Sequence, residues 1–542
     1  MRYDVIISGS GIAGTSFGCI LAKHGLKVLI VELGKHPRFA LGEALLPQSA
    51  IWPFILGKAF GIPEIEHLSH ADRIVDHITP QCGIKHSIGF AYHERGQAMQ
   101  GDQCHQLIPP HLPFYSESHL MREDVDVYLL EAAQRYGCDY LDETRIEAVE
   151  IDGDGVRIAT DGGAFEGAYY IDSSGKHSLL AQQAGYRTGP EDFATHSRTI
   201  FTHVEGLVPF DDLLDAADLP GQTKRLHDGT LHHVFDGGWM WVIPFDNFHR
   251  SASKRASVGL MLDPRKHPER PGLSPEQEFH AIISEFPSVA AHLAPVKPVF
   301  PFIRTGRLQY GANRSVGDRF FLTNNTYGFV DALYSNGLIN TFESVFLGAK
   351  LLLDAFGRGG SAEDFSAERF EPIDRLHRTQ LQQADFMVSN AYRAMGSFRT
   401  WNAWTQLWLG QVLFHDLWLQ RACFHFFKSG DAAAFDGFLS EDRPGSGAPF
   451  VPEKMALFAR AEAALVRFEQ GGCSGEEAAA EVLLALEEQE WLPKHVYGWG
   501  QTASRHVDFS LDANVGALLE WGFTASPEPL RTGLFDFELP PM

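Results

Sequence analysis

"YDVIISGSGIAGTSFGCILAKHGLKVLIVE" runs from Tyr3 to Glu32. Tyr3 to Ser8 has the length and apolar character of a buried parallel strand. "GSGIAG" (Gly9 to Gly14) follows, and Ile12 to His24 has helical spacing closed by Gly25. Leu26 to Glu32 is a second strand that ends on an acid. The parts form one βαβ unit. Gly9 permits the tight turn, Gly11 lets backbone approach a pyrophosphate, and Gly14 lets the helix lie against the strand. The first turn, with Ile12 and Ala13, presents free N–H groups to phosphate. Glu32 stands where a carboxylate accepts ribose hydroxyls. The unit therefore points to an α/β fold that binds a dinucleotide.

The rest of the chain fits a large enzyme. It has 542 residues, 44% of them hydrophobic and 21% charged, enough for a sizeable core. The formal net charge of −24 argues against nucleic acid or an anionic membrane surface as partner. Six cysteines form no CxxC pair, and 25 histidines form no HExxH pattern, so neither a disulfide framework nor a metal site is expected. No signal-peptide layout or run of about 18 apolar residues appears, and a cytoplasmic protein is expected.

Downstream, Glu123 to Gly137 reads as an amphipathic helix closed by glycine, and Arg145 to Gly175 as a meander with Asp-Gly turns. Residues from about 195 to 310 alternate as strands. From about Thr341 the pattern is largely helical. The expected division is a cofactor-binding core with an inserted antiparallel sheet over 1–345 and a helical, substrate-covering region over 346–542.

A second segment narrows the cofactor. "GDRFFLTNNTYGFVDALYSNGLINTFES" (Gly317 to Ser344) reads as strand, irregular loop, helix. Gly328, Phe329, Val330, Asp331, Ser335 and Gly337 resemble the flavin-contacting loop of the aromatic-hydroxylase fold. Asn325 stands where that family carries an aspartate on a ribityl hydroxyl, and Ala332 where it carries proline. "GGWMWVIPF" (Gly237 to Phe245) then matches the W-x-W-x-I-P motif of the flavin-dependent halogenases through Trp239, Trp241, Ile243 and Pro244. Period two puts Trp239, Trp241 and Ile243 on one face.

The chain is identified by these motifs as resembling that family, its phenolic type in particular. The resemblance implies an FAD-binding Rossmann-like core with an inserted antiparallel sheet and a helical C-terminal region. It implies FAD used as FADH2 from a separate flavin reductase, with O2 and chloride or bromide as co-substrates, in a monomer or homodimer. Flavin contacts fall on Gly42, Glu43, Ala44, Arg122, Asn325, Gly328, Asp331 and Ile339, besides the first fingerprint. Halide contacts fall on Ser335, Asn336 and Gly337, whose backbone N–H groups suit a spherical anion. Trp239 and Trp241 become a partition between flavin and organic substrate. Lys85, in "CGIKHSIGFAYH" (Cys82 to His93), matches the catalytic lysine, which holds hypohalous acid or forms a haloamine. Its apolar neighbours would lower its pKa, as a neutral amine requires.

Tyr334 occupies the place of a glutamate that indole-directed members use on their substrate, which points to a phenol instead. Phe90, Phe114, Tyr334, Trp401 and Trp404 are the pocket candidates. The last two belong to an aromatic stripe on one helix face that continues through Trp408, His415 and Trp418. The alternatives are an aromatic hydroxylase or oxidase of the same fold and a non-catalytic flavoprotein.

Overall fold

The structure, a computed structural model, describes residues 2–109, 117–214, 222–439, 453–510 and 512–538. It opens with β1 (Arg2–Ser8), α1 (Ile12–Lys23) and β2 (Val28–Val31). Two glycines explain the tightness of this unit. Gly9 has φ +90°, and a Cβ there would stand 2.4 Å from the Ser173 carbonyl oxygen. A Cβ on Gly14 would stand 2.0 Å from the Gly9 oxygen. No side chain fits at either place, so helix and strand approach at backbone contact.

The chain continues through α2 (Pro47–Phe60), β3 (Gly83–Lys85), β4 (Ile88–His93), β5 (Cys104–Ile108) and β6 (Glu117–His119). Then come α3 (Arg122–Tyr136), β7 (Asp139–Leu141) and the meander β8 (Ile146–Ile151), β9 (Val156–Thr160), β10 (Gly163–Asp172). Gly137 ends α3 in the left-handed conformation, as its position in the sequence predicts. The inserted strands are β11 (Arg198–Glu205), β12 (Thr230–Phe235), β13 (Gly238–Pro244) and β14 (Arg255–Leu262). After β15 (Phe320–Leu322) the chain is mainly helical, led by α4 (Asn336–Gly357), α5 (Ala367–Ala394) and α6 (Phe398–Ser429).

Two sheets organise the α/β fold. In the first, β15, β10, β1, β2 and β7 lie side by side in parallel, with β8 and β9 added antiparallel beyond β10. In the second, β11, β14, β13, β12, β4 and β5 are neighbours in that order, antiparallel except for β12 against β4. A short strand at His506–Asp508 joins β5, so the C-terminal region closes onto the inserted sheet. A separate two-stranded ribbon pairs β3 with β6.

The strand β13 shows how the core divides. Trp239, Trp241 and Ile243 point into the large cluster shared with α1, α2, α4 and α6. Met240 and Val242 point into a second cluster on the opposite face of the sheet. The stretch expected to be strands throughout 195–310 also holds two helices, Pro275–Ile283 and Pro287–Leu293. Ser274 caps the first with Gln277 in a capping box. Phe279, Ile282 and Ile283 then supply its buried face.

Candidate functional site

The dinucleotide cradle is assembled at the β1–α1 turn. No side chain caps α1, so its first-turn N–H groups are left for a ligand. Ser10 donates its N–H and hydroxyl to Glu32 Oε2 (2.8 and 2.9 Å), and the Gly34 N–H donates to Oε1 (2.9 Å). Burial opposes ionisation of Glu32, but the Ser10 and Gly34 N–H groups and Arg38 outweigh it and hold the carboxyl below its usual value. Each carboxylate oxygen keeps acceptor capacity for a hydroxyl. Arg38 lies 3.6 Å from Glu32, and its Nη2 is the nearest heavy atom to the space above Gly11. Its buried Nε has no hydrogen-bond partner among the described residues. An open helix end, a cradle that a Cβ would fill and an orphaned guanidinium nitrogen fit the adenosine diphosphate part of FAD.

Gly42, Glu43 and Ala44 lie in the segment just ahead of α2. Arg122 clamps this segment: it pairs with Asp126 (2.9 and 3.0 Å) and donates to the Leu41 and Gly42 carbonyls. Glu43 accepts from His203 Nε2 at 2.6 Å, and Ala44 bridges His119. Arg122 thus shapes the loop by spending its donors on protein groups.

Lys85 ends β3, and its residue is 1% exposed. Burial lowers its pKa to about 8, against an opposing pull from Glu117. Local packing fixes its ribbon. Asn247 donates to the Ile84 carbonyl (2.8 Å) and accepts from the Ile84 N–H (2.9 Å). Gly83 comes so close to β13 that a Cβ would stand 2.4 Å from the Pro244 oxygen. His119, on β6, donates Nδ1–H to the same oxygen (2.6 Å), which leaves Nε2 to accept from the Thr230 hydroxyl (2.9 Å). Burial, with Lys85 adding to it, lowers the His119 pKa to about 3, so this ring is neutral. The two strands that carry Lys85 and the end of the tryptophan strand are therefore locked together.

On β13, Trp239 and Trp241 have ring centroids 5.9 Å apart and are 1% and 6% exposed. Trp239 lies 5.6 Å from His232, and Phe90 stacks on His232 at 4.7 Å. The His232 pKa is lowered to about 3 by burial and then by Lys85. His232 thus packs between Phe90 and the tryptophan face and feels the charge of Lys85.

The loop before α4 shows a backbone feature. Ser335, the residue that precedes the helix, has φ +51°, one of three such non-glycine residues among those described. No side chain caps this 22-residue helix. The N–H groups of its first turn, from Asn336 and Gly337 onward, are the donors that an anion would meet. Asp331 is engaged within the protein: Ser197 (2.6 Å) and Tyr392 (3.2 Å) donate to it, and burial raises its pKa to about 6. Asn325 is exposed and its side chain reaches Thr341 at 3.5 Å. Gly328 packs on Leu381, and Ile339 lines a cavity with Tyr334, Asn336 and Trp408.

The pocket candidates meet in pairs. Phe90 and Trp401 pack edge-on at 5.4 Å, and Trp404 donates Nε1–H to the Tyr334 hydroxyl at 2.9 Å. Trp401 and Trp404 are buried in the core, whereas Trp408, further along the same stripe, stacks on Tyr334 at 5.0 Å and lines the cavity. Phe114 lies outside the described residues. Sequence reasoning missed Arg38, Glu117, His119, His232 and Asn247: the second to fourth are placed by strand pairing and the other two by loops that follow strands, not by any local motif. Among the described residues no helix is long and apolar enough to cross a membrane.

No protein-family model matches the chain. It is 39% identical over 502 residues to the monodechloroaminopyrrolnitrin halogenase PrnC of Pseudomonas fluorescens, covering 92% of this chain and 87% of that protein. It is 32% identical to the tetracycline 7-halogenase of Kitasatospora aureofaciens, covering 96% and 92%. Among solved structures, the halogenase PltM in complex with phloroglucinol and FAD superimposes with a TM-score of 0.87 at 33% identity, covering 93% of this chain and 99% of that one.

Proposed function

The chain belongs to the flavin-dependent halogenases, FAD-using oxidoreductases, and on that premise we propose that it chlorinates or brominates an electron-rich phenol with Lys85 as the catalytic residue. The observation that carries the role of Lys85 is its burial at the end of β3, in a ribbon packed against the end of the tryptophan strand. The phenol reading is supported by the full-length likeness to a halogenase crystallised with phloroglucinol. It is supported too by Tyr334, which offers no carboxylate to an indole. A phenol activates its own ring and needs none.

Reduced FAD, when bound, supplies with O2 the oxidation that turns halide into hypohalous acid. The chain's residues do the rest. The β1–α1 turn, Glu32 and Arg38 hold the adenosine diphosphate end, while Asn325, Gly328, Asp331 and Ile339 flank the ring end. Asn336 and Gly337 hold halide through backbone N–H groups, beside Ser335, whose own N–H donates to the Ala332 carbonyl (3.0 Å). Trp239, Trp241, Ile243 and Pro244 keep the organic substrate away from the flavin. Lys85 as ammonium donates a hydrogen bond to hypohalous acid and gives its proton to the departing oxygen. Phe90, Tyr334 and Trp408 shape the phenol pocket, with Trp401 packed edge-on against Phe90 and Trp404 donating to Tyr334 behind them. A separate reductase delivers FADH2, and the protein works in the cytoplasm as a monomer or homodimer, in secondary metabolism. The hydroxylase alternative has no support from the three halogenases above.

The test is turnover of a panel of phenols with FAD, a flavin reductase, NADH and bromide or chloride. Halogenated phenols that require halide are expected. Hydroxylated products formed without halide would overturn the reading.

A further inference from the structure

Lys85 and Glu117 are direct cross-strand partners in the β3–β6 ribbon. Side chains of such partners lie on one face with Cβ atoms about 5 Å apart. Both are almost fully buried, at 1% and 4% exposure. Glu117 Oε2 has no hydrogen-bond partner among the described residues. Asp416, on α6, is the next carboxylate: it accepts from Gln420 at Oδ2 (2.5 Å), and its buried Oδ1 has no partner among the described residues. Lys85 and Glu117 thus share one buried face of the ribbon, Asp416 acts electrostatically on Glu117, and His119 and His232 are neutral groups within reach of the Lys85 charge.

We propose that Glu117 is the proton partner of Lys85: the pair holds one proton in the resting site, and Glu117 restores it to the amine after each transfer. The proposal rests on the reading of Lys85 given above. The ring attacks the halogen of hypohalous acid, the O–halogen bond breaks, and its electron pair stays on oxygen. Lys85 ammonium protonates that oxygen, which leaves as water. The ring carbon then loses its proton and recovers aromaticity. Water takes up that proton and carries it to the Glu117 carboxylate, which passes it to the neutral Lys85 amine. The sum is phenol plus hypohalous acid to halophenol plus water.

The electrostatics agree with this placement. Burial pushes the Glu117 pKa well above the usual carboxylate range, with Lys85 opposing and Asp416 reinforcing. Burial raises Asp416 to about 7. A proton shared between an acid raised in pKa and an amine lowered in pKa moves at small cost. Glu117 acts through Lys85 and is a positioning residue in this sense, not a group shown on substrate.

The test is the pH dependence of kcat for phenol bromination by full-length Glu117→Gln, Glu117→Asp and Asp416→Asn, with hypobromous acid trapped in parallel. Activity is expected to fall as pH rises through the Lys85 pKa. Glu117→Gln removes the charge that holds the ammonium, so its alkaline limb is expected to move down by about one to three pH units. Glu117→Asp is expected to restore the limb towards the wild-type position. Asp416→Asn favours ionised Glu117 and is expected to move the limb up. Limbs that coincide in Glu117→Gln and wild type, with only kcat scaled, would overturn the proposal. If Glu117→Gln does not fold, a downward or unmoved limb in Asp416→Asn overturns it. Lys85→Ala separates the two readings. Halogenation undiminished there sinks the role of Lys85 itself, whereas loss there beside an unmoved Glu117→Gln limb sinks only the pairing.

Discussion

The indole of Trp241 lies over Gly259 of the neighbouring strand, and a Cβ at 259 would stand 2.1 Å from its ring. The two residues are register partners on β13 and β14, and the ring is held by its N–H donation to Ser257 (3.0 Å). The tryptophan face therefore depends on a glycine next door. Gly259→Ala is expected to tilt Trp241 away and to destabilise the fold by about 1–3 kcal/mol through overpacking. With the partition displaced, trapped hypohalous acid should rise relative to halogenated phenol. A denaturant melt and a product-to-trap ratio measure the two effects. An unchanged ratio in a destabilised protein would deny the face any separating role.

The cofactor end gives a second prediction. Gly14→Ala places a methyl group 2.0 Å from the Gly9 oxygen. The helix can accept it only by leaving the strand, which takes its first-turn N–H groups away from the phosphates. FADH2 and FAD affinity should fall at least about tenfold, or roughly 1.4 kcal/mol, in a fluorescence titration.

Ser335 allows the halide loop to be tested without touching a charged group. At φ +51° a serine pays a backbone cost that glycine does not. Ser335→Gly is expected to be as stable as wild type or more so, by about 1 kcal/mol, with an unchanged bromide KM. Ser335→Val cannot keep the conformation without strain, so its bromide KM should rise several-fold. Equal KM values for the two variants would remove the loop from halide binding.

Lys85 should cost the fold stability. Burial lowers its pKa from 10.5 to about 8. The folded value is the lower one, so the unfolded chain binds this proton more tightly. Wild-type stability from this group therefore rises as pH climbs from about 8 towards the unfolded value. At pH 7 the protonated amine costs up to about 3 kcal/mol, taking about 1.4 kcal/mol per unit. Lys85→Met should melt higher than wild type at pH 7 and lose that advantage near pH 10. A lower melting temperature at pH 7 would contradict the burial argument.

The sequence reveals the β1–α1–β2 unit because its logic is local: glycine spacing, strand length and a terminal acid lie within one stretch. It also reveals that Trp239, Trp241 and Ile243 share a face, since period two belongs to any strand. The helices at Pro275–Ile283 and Pro287–Leu293 were hidden because short proline-started segments resemble turns. Lys85 stood out only through resemblance, since nothing local marks it as buried. Glu117 and His232 were invisible for a different reason. Glu117 meets Lys85 through the β3–β6 ribbon and His232 meets Phe90 through the β12–β4 pairing, and register over such distances is set by the whole fold.

The central claim is that Lys85 delivers the halogen. The direct measurement compares wild type and Lys85→Ala in phenol bromination with reductase-supplied FADH2, while hypobromous acid is trapped in the same reactions. The account predicts bromophenol from wild type, a loss of at least about a hundredfold in the variant, on the scale of 3 kcal/mol in the barrier, and trapped hypobromous acid from both. Undiminished bromination by Lys85→Ala would contradict it.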